Sequence, residues 1–348
     1  MTTIPNSTGS TLKRTLRRTL RRSVPRPVKR GLLVMWRVVE LANNYLYDYG
    51  RFFRWSMIKK NYPSQTAFRA DITRTYHSLE KGLALPQPRV GFGAKKADQL
   101  LAMLEKYTAH YGLDETARVA LNVLKAHDEF NTRNGVDRSA FRARFTKLAR
   151  TEGVQVKSGG VKHVSKEQIL AASQKDLQAF FDNRYSVRHF SGEEVDIALV
   201  ERAVKMAQKT PSVCNRQSSK VHVFSLPEDK ARVLSFQPGN QGWGHQISKV
   251  LVVTSDMQHF IMTGERNQCW VDGGLFAMSL VYALHSLGVG TCMLNWSVKR
   301  DTDANMRRAA GIPDAEAVIM MIAVGHLPEA LLVAQSPRKQ ADEFLVVH

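Results

Sequence analysis

The sequence predicts an α+β fold, with a sheet flanked by helices in the C-terminal half and a helical domain before it. Short apolar runs that alternate with helical patterns after residue 170 predict the sheet, and amphipathic patterns in residues 61–150 predict the helical domain. The chain has 348 residues, 43% of them hydrophobic. This is enough for one large or two ordinary domains, and it excludes a wholly disordered, collagen-like or disulfide-scaffold protein.

A strongly basic leader comes first along the chain. Residues 1–60 contain 14 lysines and arginines and two acidic residues. Leucines four residues apart in residues 10–24 would give a helix a narrow apolar stripe among arginines. The leader suits a disordered, solvated tail. It equally suits an anionic membrane surface, contacted through residues 10–60. Nucleic acid is the least favoured partner.

Residues 61–150 are predicted to form the helical domain. Apolar residues recur at helical spacing in residues 99–112 and 115–130. Prolines and glycines in residues 82–93 predict a loop of defined shape before them. The polar, glycine-bearing residues 151–170 predict a linker.

The C-terminal half alternates predicted strands and helices. Apolar, β-branched runs predict strands over residues 220–225, 249–254 and 318–324. Helical patterns cover residues 176–182, 194–209, 274–287 and 303–310. Residues 273–298 contain no charged side chain, but their glycines predict a buried helix, a turn and a short strand rather than a bilayer span.

The densest chemical pattern is the stretch Asn-Arg-Tyr-Ser-Val-Arg-His-Phe at residues 183–190. Residues two apart in an extended segment point the same way, so Arg184, Ser186 and Arg188 would present two guanidinium groups and a hydroxyl to one object. That set suits a phosphate or the edge of a polar ring. If the pattern stood alone, three exposed residues in a surface turn would be the better interpretation.

Two further polar patterns follow. Ser212, Asn215 and Gln217 lie between a predicted helix and a predicted strand and offer neutral donors and acceptors for a heterocycle. Ordinary turn capping is the alternative. Arg338 and Lys339 follow the last predicted strand. They could reach the same phosphate, or they are solvated charges of a tail.

Taken in order, these patterns resemble the nitroreductase family of FMN-dependent oxidoreductases. The resemblance rests on R-x-S-x-R-x-F, P-S-x-x-N-x-Q, the Asp272-Gly-Gly helix, the G-V-G-T turn, and I-A-V-G-H-L-P followed by R-K, over residues 176–345. It implies a mixed β-sheet flanked by helices, in an FMN-binding domain over residues 171–348. It also implies a homodimer with FMN at the interface.

The resemblance also assigns residues to the cofactor. Arg184, Ser186 and Arg188 match the first FMN motif, Ser212, Asn215 and Gln217 the second, and Arg338 or Lys339 the late phosphate-binding base. Met293 and Leu294 fall where the family places backbone beside the reactive flavin nitrogen. Ser218 departs from the pattern, because many members have proline there. The flavin carries the chemistry, so no catalytic side chain is expected.

The expected activity is hydride transfer from NADH or NADPH through FMN to a small-molecule electron acceptor. Two alternatives stay open: another flavin enzyme on the same fold (a dehydrogenase, a dehalogenase or a flavin-cleaving enzyme), and a non-catalytic flavin-binding adaptor docked by its leader to a membrane or partner. The segments HSLEKGL and RVGFG resemble extensions of long nitroreductase-like proteins, which assigns them no role.

Cysteine usage and the leader bear on location. The three cysteines form no C-x-x-C pair and no zinc spacing, so no metal site is expected and a reducing compartment fits them. No small-residue cleavage site follows the arginine pairs of the leader. We therefore expect a cytoplasmic protein, peripheral at the inner membrane surface where the leader binds lipid.

Overall fold

The computed structural model describes residues 25–59, 62, 64–85, 87–150, 159–161, 176–331, 333 and 340–348. The chain divides into two compact units, residues 1–51 and 52–348. The predicted helical and C-terminal domains both fall within the second unit, and the boundary between them stays a prediction. The helical pattern of residues 10–24 and most of the predicted linker lie outside the described residues.

The described part of the chain before residue 151 is helical. Its helices are α1 (Arg26–Trp55), α2 (Gln65–Leu83), α3 (Ala94–Tyr111), α4 (Glu115–Arg133) and α5 (Ser139–Arg150). The two amphipathic helices predicted at residues 99–112 and 115–130 are confirmed as α3 and α4. Helices α2 to α5 share one core, which contains Ile72, Leu100 and Leu124. No helix of the described residues is long and apolar enough to cross a membrane.

The loop between α2 and α3 has a defined shape, as its composition predicts. Gly91 and Gly93 have φ angles of 76° and 67°, which favour glycine. Phe92 lies so close to Gly82 that a Cβ there would come within 2.2 Å of the phenyl ring. The buried side chain of Asn131 on α4 accepts a hydrogen bond from the Gly91 N–H at 2.7 Å. The loop is therefore fixed on the helical core.

After residue 175 the described chain alternates helices and strands. The helices are α6 (Leu177–Asp182), α7 (Ile197–Ala207), α8 (Pro227–Leu234), α9 (Gln268–Ser286) and α10 (Arg300–Ala310), and the strands are β1 (Ser219–Phe224), β2 (Lys249–Asp256), β3 (Val289–Asn295) and β4 (Glu316–His326). The strand order is β1-β2-β4-β3 with antiparallel ladders. One parallel bridge, Ser186 to Thr291, makes the described sheet mixed. The predicted α+β fold is confirmed.

The sheet has an apolar core on each face, because successive strand residues point to opposite sides. Leu251 and Ile322 belong to the core that contains α7 and α9. Val250 and Met321 belong to the other core, together with Met306 of α10. Both faces of β2 are thus covered, and every residue of that strand is buried. This double burial explains the continuous apolar run by which the sequence predicts β2.

A charged cluster joins three strands at one end of the sheet. Glu316, 2% exposed, accepts hydrogen bonds from Lys220 Nζ and Thr254 Oγ1, both at 2.7 Å. His222 Nε2 lies 2.7 Å from the same carboxylate, and Lys220 Nζ lies 3.2 Å from Asp256. Burial opposes ionisation of Glu316, but the hydrogen bonds from its three neighbours outweigh it and lower its pKa to about 2.

We expect Glu316→Gln to lower the free energy of unfolding at neutral pH by about 3 kcal/mol. A depressed pKa stabilises the fold only above the ordinary carboxyl value, so the difference between parent and variant should shrink as the pH falls from 4.5 to about 2. Urea unfolding followed by circular dichroism across the acid range measures it. The control Glu228→Gln, at an exposed position of α8, should have little effect, and equal losses in both variants would contradict the expectation.

Candidate functional site

The first polar pattern lies along the outer side of strand β3. Ser186 forms the parallel bridge with Thr291, and the Val187 N–H donates to the Thr291 carbonyl at 2.8 Å. After this bridge the chain turns back, because the Ser191 N–H donates to the carbonyl of His326, which pairs with Val289 at the start of β3. The predicted extended conformation of this stretch is therefore present around Ser186.

The two arginines of this pattern act on the same buried thiol. Burial raises the pKa of Cys292, and the positive charges of Arg188 and Arg184 lower it by a smaller amount. Cys292 belongs to β3, next to Met293. The guanidinium groups of the first pattern therefore act on the part of β3 that the resemblance assigns to the cofactor.

Phe190 fixes this segment on the sheet. Its ring is buried, and a Cβ at Gly325 of β4 would come within 2.5 Å of it. A Cβ at Gly290 of β3 would come within 3.3 Å of the same ring. The phenyl group thus lies on two adjacent strands where neither carries a side chain. This packing explains why the sequence has phenylalanine at the end of the first pattern and glycine in both late patterns.

Met293 and Leu294 offer their backbone rather than their side chains. The Leu294 side chain is buried in the core that contains Met306, and Met293 packs against the opposite core. The Thr291 carbonyl faces outward to Val187. Backbone groups of a strand alternate in direction, so the N–H and C=O of Met293 also face outward from the edge of the sheet.

The second polar pattern forms a strained turn before β1. Cys214, Asn215 and Gln217 have φ angles of 50°, 53° and 51°. Asparagine tolerates this left-handed region, but cysteine and glutamine adopt it at a cost of about 1–2 kcal/mol each. The turn is closed locally, because the Gln217 N–H donates to Ser212 Oγ at 3.0 Å. Strain of this kind in non-glycine residues is typical of functional sites.

Contacts from distant residues hold this turn. Asp272 of α9 accepts a hydrogen bond from the Val213 N–H at 3.1 Å. Arg216 points inward and donates to both carboxylate oxygens of Glu265, at 2.6 and 3.2 Å. Burial opposes ionisation of Glu265, but hydrogen bonds from Arg216 and two backbone N–H groups outweigh it, so its pKa lies below the ordinary value. Helix α2 also packs against the turn.

The turn borders a small cavity. The cavity has a volume of about 120 Å³, and its lining includes Ser212, Gln217, Asp272 and Phe276. Ser218, which replaces the proline of many family members, is buried and its hydroxyl lies 2.9 Å from the hydroxyl of Ser255 on β2. The serine at this position, just before β1, therefore connects the start of β1 to β2 through its hydroxyl.

A single chain keeps the two patterns apart. The first follows the β3 edge of the sheet and the second enters β1 at the opposite edge. Across the strands, Ser219 of β1 is level with Ala317 of β4, and Thr291 of β3 is level with Val324 of β4. Strand spacings of about 4.8 Å and a rise of about 3.3 Å per residue put the patterns roughly 25 Å apart. One copy of the chain cannot close both on one mononucleotide.

The donor set of the first pattern fits a phosphorylated, planar, electron-poor ring. Two guanidinium groups match phosphate and ring oxygens, and the outward N–H of Met293 adds a donor. Ser212 and Gln217 of the second pattern provide neutral groups around a concave surface. Arg338 and Lys339 lie outside the described residues, and their assignment to the phosphate stays a prediction.

Sequence reasoning did not identify the residues that position these patterns. Arg216 and Glu265 are 49 residues apart, and no local spacing indicates that they pair. The sequence pattern placed Thr291 in a glycine-bounded turn. In the structure its carbonyl accepts a hydrogen bond from the Val187 N–H of the first polar pattern. In the sequence, Asp272 indicated only a helix. Its hydrogen bond with the Val213 N–H depends on the tertiary fold.

Comparison with known proteins finds similarity to one family. The model of the nitroreductase family matches residues 182–236 and 227–326. Similar solved structures include an FMN-dependent nitroreductase from Clostridium difficile R20291, with 20% identity over 45% of this chain and 91% of that chain and a TM-score of 0.39. A nitroreductase family protein from Streptococcus pneumoniae TIGR4 has 20% identity over 50% of this chain and 100% of that chain, with a TM-score of 0.44.

A nitroreductase-like protein from Streptococcus mutans has 20% identity over 50% of this chain and 98% of that chain, with a TM-score of 0.44. The family match includes the first polar pattern, the strained turn and all four strands of the sheet. Residues 182–326 of the chain therefore resemble the nitroreductase family.

Proposed function

We propose that the protein is an FMN-dependent oxidoreductase that transfers hydride from NADH or NADPH to a small-molecule electron acceptor. The observation that carries the proposal is the match of the nitroreductase family model to residues 182–326, a range that includes Arg184, Arg188 and the strained turn. Bound FMN would accept the hydride and pass it on. The chain would bind the flavin, orient it and stabilise its charge.

Each part of the first pattern has a role in this proposal. Arg188, whose charge acts on Cys292 of β3, would stabilise negative charge at the pyrimidine end of the ring. Arg184 would bind the phosphate, together with Arg338 or Lys339. The outward N–H of Met293 would donate to the reactive flavin nitrogen. Charged hydrogen bonds of this kind contribute roughly 1.5–3 kcal/mol each.

A second copy of the chain would complete the site. Ser212, Asn215 and Gln217 lie roughly 25 Å from the first pattern within one chain, so they would reach the flavin from the partner subunit. A twofold dimer allows this, because each subunit then contributes its second motif to the site of its partner and receives the partner's second motif at its own site.

Exposed apolar side chains on α7 and α9 suit such an interface. Trp270, Val271 and Leu275 of α9 are 42%, 51% and 47% exposed, and Ile197 and Met206 of α7 are also exposed. The two helices pack against each other. Large apolar residues that cluster on one surface are typical of subunit contacts.

We expect purified protein to be yellow with stoichiometric FMN, and Arg188→Ala to weaken FMN binding about 10- to 100-fold through loss of one charged hydrogen bond. Fluorescence titration of the deflavinated protein with FMN measures the affinity. Arg308→Ala, at an exposed position of α10, is the control. A colourless parent that binds no FMN would contradict the proposal.

Mixing two inactive variants tests the shared site. Arg188→Ala removes the first motif and Asn215→Ala the second, so each homodimer should bind FMN weakly. Refolding the two together should restore about one quarter of the tight sites, because random pairing gives half heterodimers with one intact site each. No recovery would mean that both motifs act within one chain.

Met293→Pro tests the outward N–H. Proline is tolerated on edge strands where the N–H faces away from the ladder, so the sheet should survive while the donor is lost. We expect FMN to stay bound and its anaerobic reduction by NADH or NADPH to slow by about 10- to 100-fold. Stopped-flow absorbance measures the rate, and Met293→Val is the control. Equal rates for proline and valine would show that the N–H plays no part.

A further inference from the structure

Helix α1, Arg26–Trp55, has two distinct faces. At 100° per residue its charged residues, including Lys29, Arg30, Arg37 and Glu40, fall in one sector of about 120°. Apart from Leu33, which lies among them, its aliphatic residues fall on the other side, in a sector of about 180°. A sector this wide is larger than the stripe that a surface helix usually buries against a protein core.

The apolar sector is exposed. The most exposed aliphatic residues between positions 28 and 46 include Met35 at 61%, Val38 at 60%, Val39 at 55%, Leu41 at 57% and Leu46 at 64%. Scattered apolar residues are normal on protein surfaces, but a continuous surface of this kind marks an interaction site.

We propose that α1 lies in the plane of an anionic lipid surface, with its apolar sector among the acyl chains and its basic sector at the headgroups. The charge of the chain favours this partner. Residues 1–24 contain six lysines and arginines and no acidic residue. In the sequence of the first half of the helix, residues 26–40, four of the five charged residues are basic: Arg26, Lys29, Arg30 and Arg37. Basic residues beside an inserted apolar face draw such helices to anionic lipid.

A lipid surface fits the geometry better than a second copy of the chain. A partner helix covers only a narrow stripe at the contact, which would leave most of a sector of about 180° in water. An acyl-chain boundary covers the whole sector at once. The helix is also not apolar enough to span a bilayer, which agrees with an orientation along the surface. The proposal does not depend on the flavin site.

The test is flotation of the full-length protein with vesicles. Mixed phosphatidylcholine and phosphatidylglycerol vesicles provide the anionic surface, and pure phosphatidylcholine vesicles the neutral one. The parent protein should float with the mixed vesicles and bind the neutral ones more weakly. Arg30→Gln with Arg37→Gln should reduce binding to the mixed vesicles about 30-fold, because each cation contributes independently.

Two triple variants separate the faces of the helix. Met35→Gln, Val39→Gln and Leu46→Gln lie within the apolar sector and should reduce binding at least about 10-fold. The matched control, Glu40→Gln, Asn44→Gln and Asp48→Gln, places the same three glutamines in the polar sector. It should bind as tightly as the parent or more tightly. Circular dichroism and light scattering of every variant report folding and oligomeric state.

Three results would overturn the proposal. The first is a parent protein that does not bind the mixed vesicles. The second is equal loss of binding in the two triple variants. The third is a parent oligomer that dissociates in the apolar triple variant and never binds lipid, because a second copy of the chain would then cover the apolar sector.

Discussion

The packing of Phe190 against two glycines decides where the candidate cofactor site can form. A Cβ at Gly325 or Gly290 would meet the phenyl ring at 2.5 or 3.3 Å, so the ring can lie on the sheet only where both side chains are absent. The segment before Phe190 is then drawn along the edge of β3, and the Val187 N–H reaches Thr291. Arg184 and Arg188 belong to the segment that this apolar contact anchors on the sheet.

The strand order imposes a second constraint. Because β1 and β3 are the two edges of the sheet, residues that precede β1 and residues that run beside β3 cannot meet in one chain. At the β3 edge, Ser186 and Val187 already pair with Thr291. The topology therefore separates the two motifs within one subunit. The sequence patterns alone identify both motifs but do not give the distance between them.

The sequence predicts the elements of this fold well, because buried apolar residues recur in the sequence with the period of the helix or strand that contains them. The helices α3 and α4 and the strands β2 and β4 follow directly from apolar spacing, and Gly91 and Phe92 belong to a loop whose composition predicts a defined shape. The pairing of Arg216 with Glu265 has no such periodic signal. The two residues are 49 positions apart, so the sequence alone predicts two solvated side chains. The left-handed φ angles of Cys214 and Gln217 are equally hidden, because neither residue type favours that conformation.

The strained turn shows why these hidden contacts matter for chemistry. Left-handed cysteine and glutamine together cost about 2–4 kcal/mol, and an isolated turn would relax. The buried pair of Arg216 and Glu265 prevents this, because relaxation would separate two desolvated charges, at a typical cost of about 3–5 kcal/mol. The two magnitudes are comparable, so the ion pair offsets the strain of the turn, which borders a cavity of about 120 Å³ that Gln217 lines. A rigid amide and hydroxyl at a concave surface can distinguish one edge of a heterocycle from another, whereas mobile ones would lose that selectivity to conformational entropy.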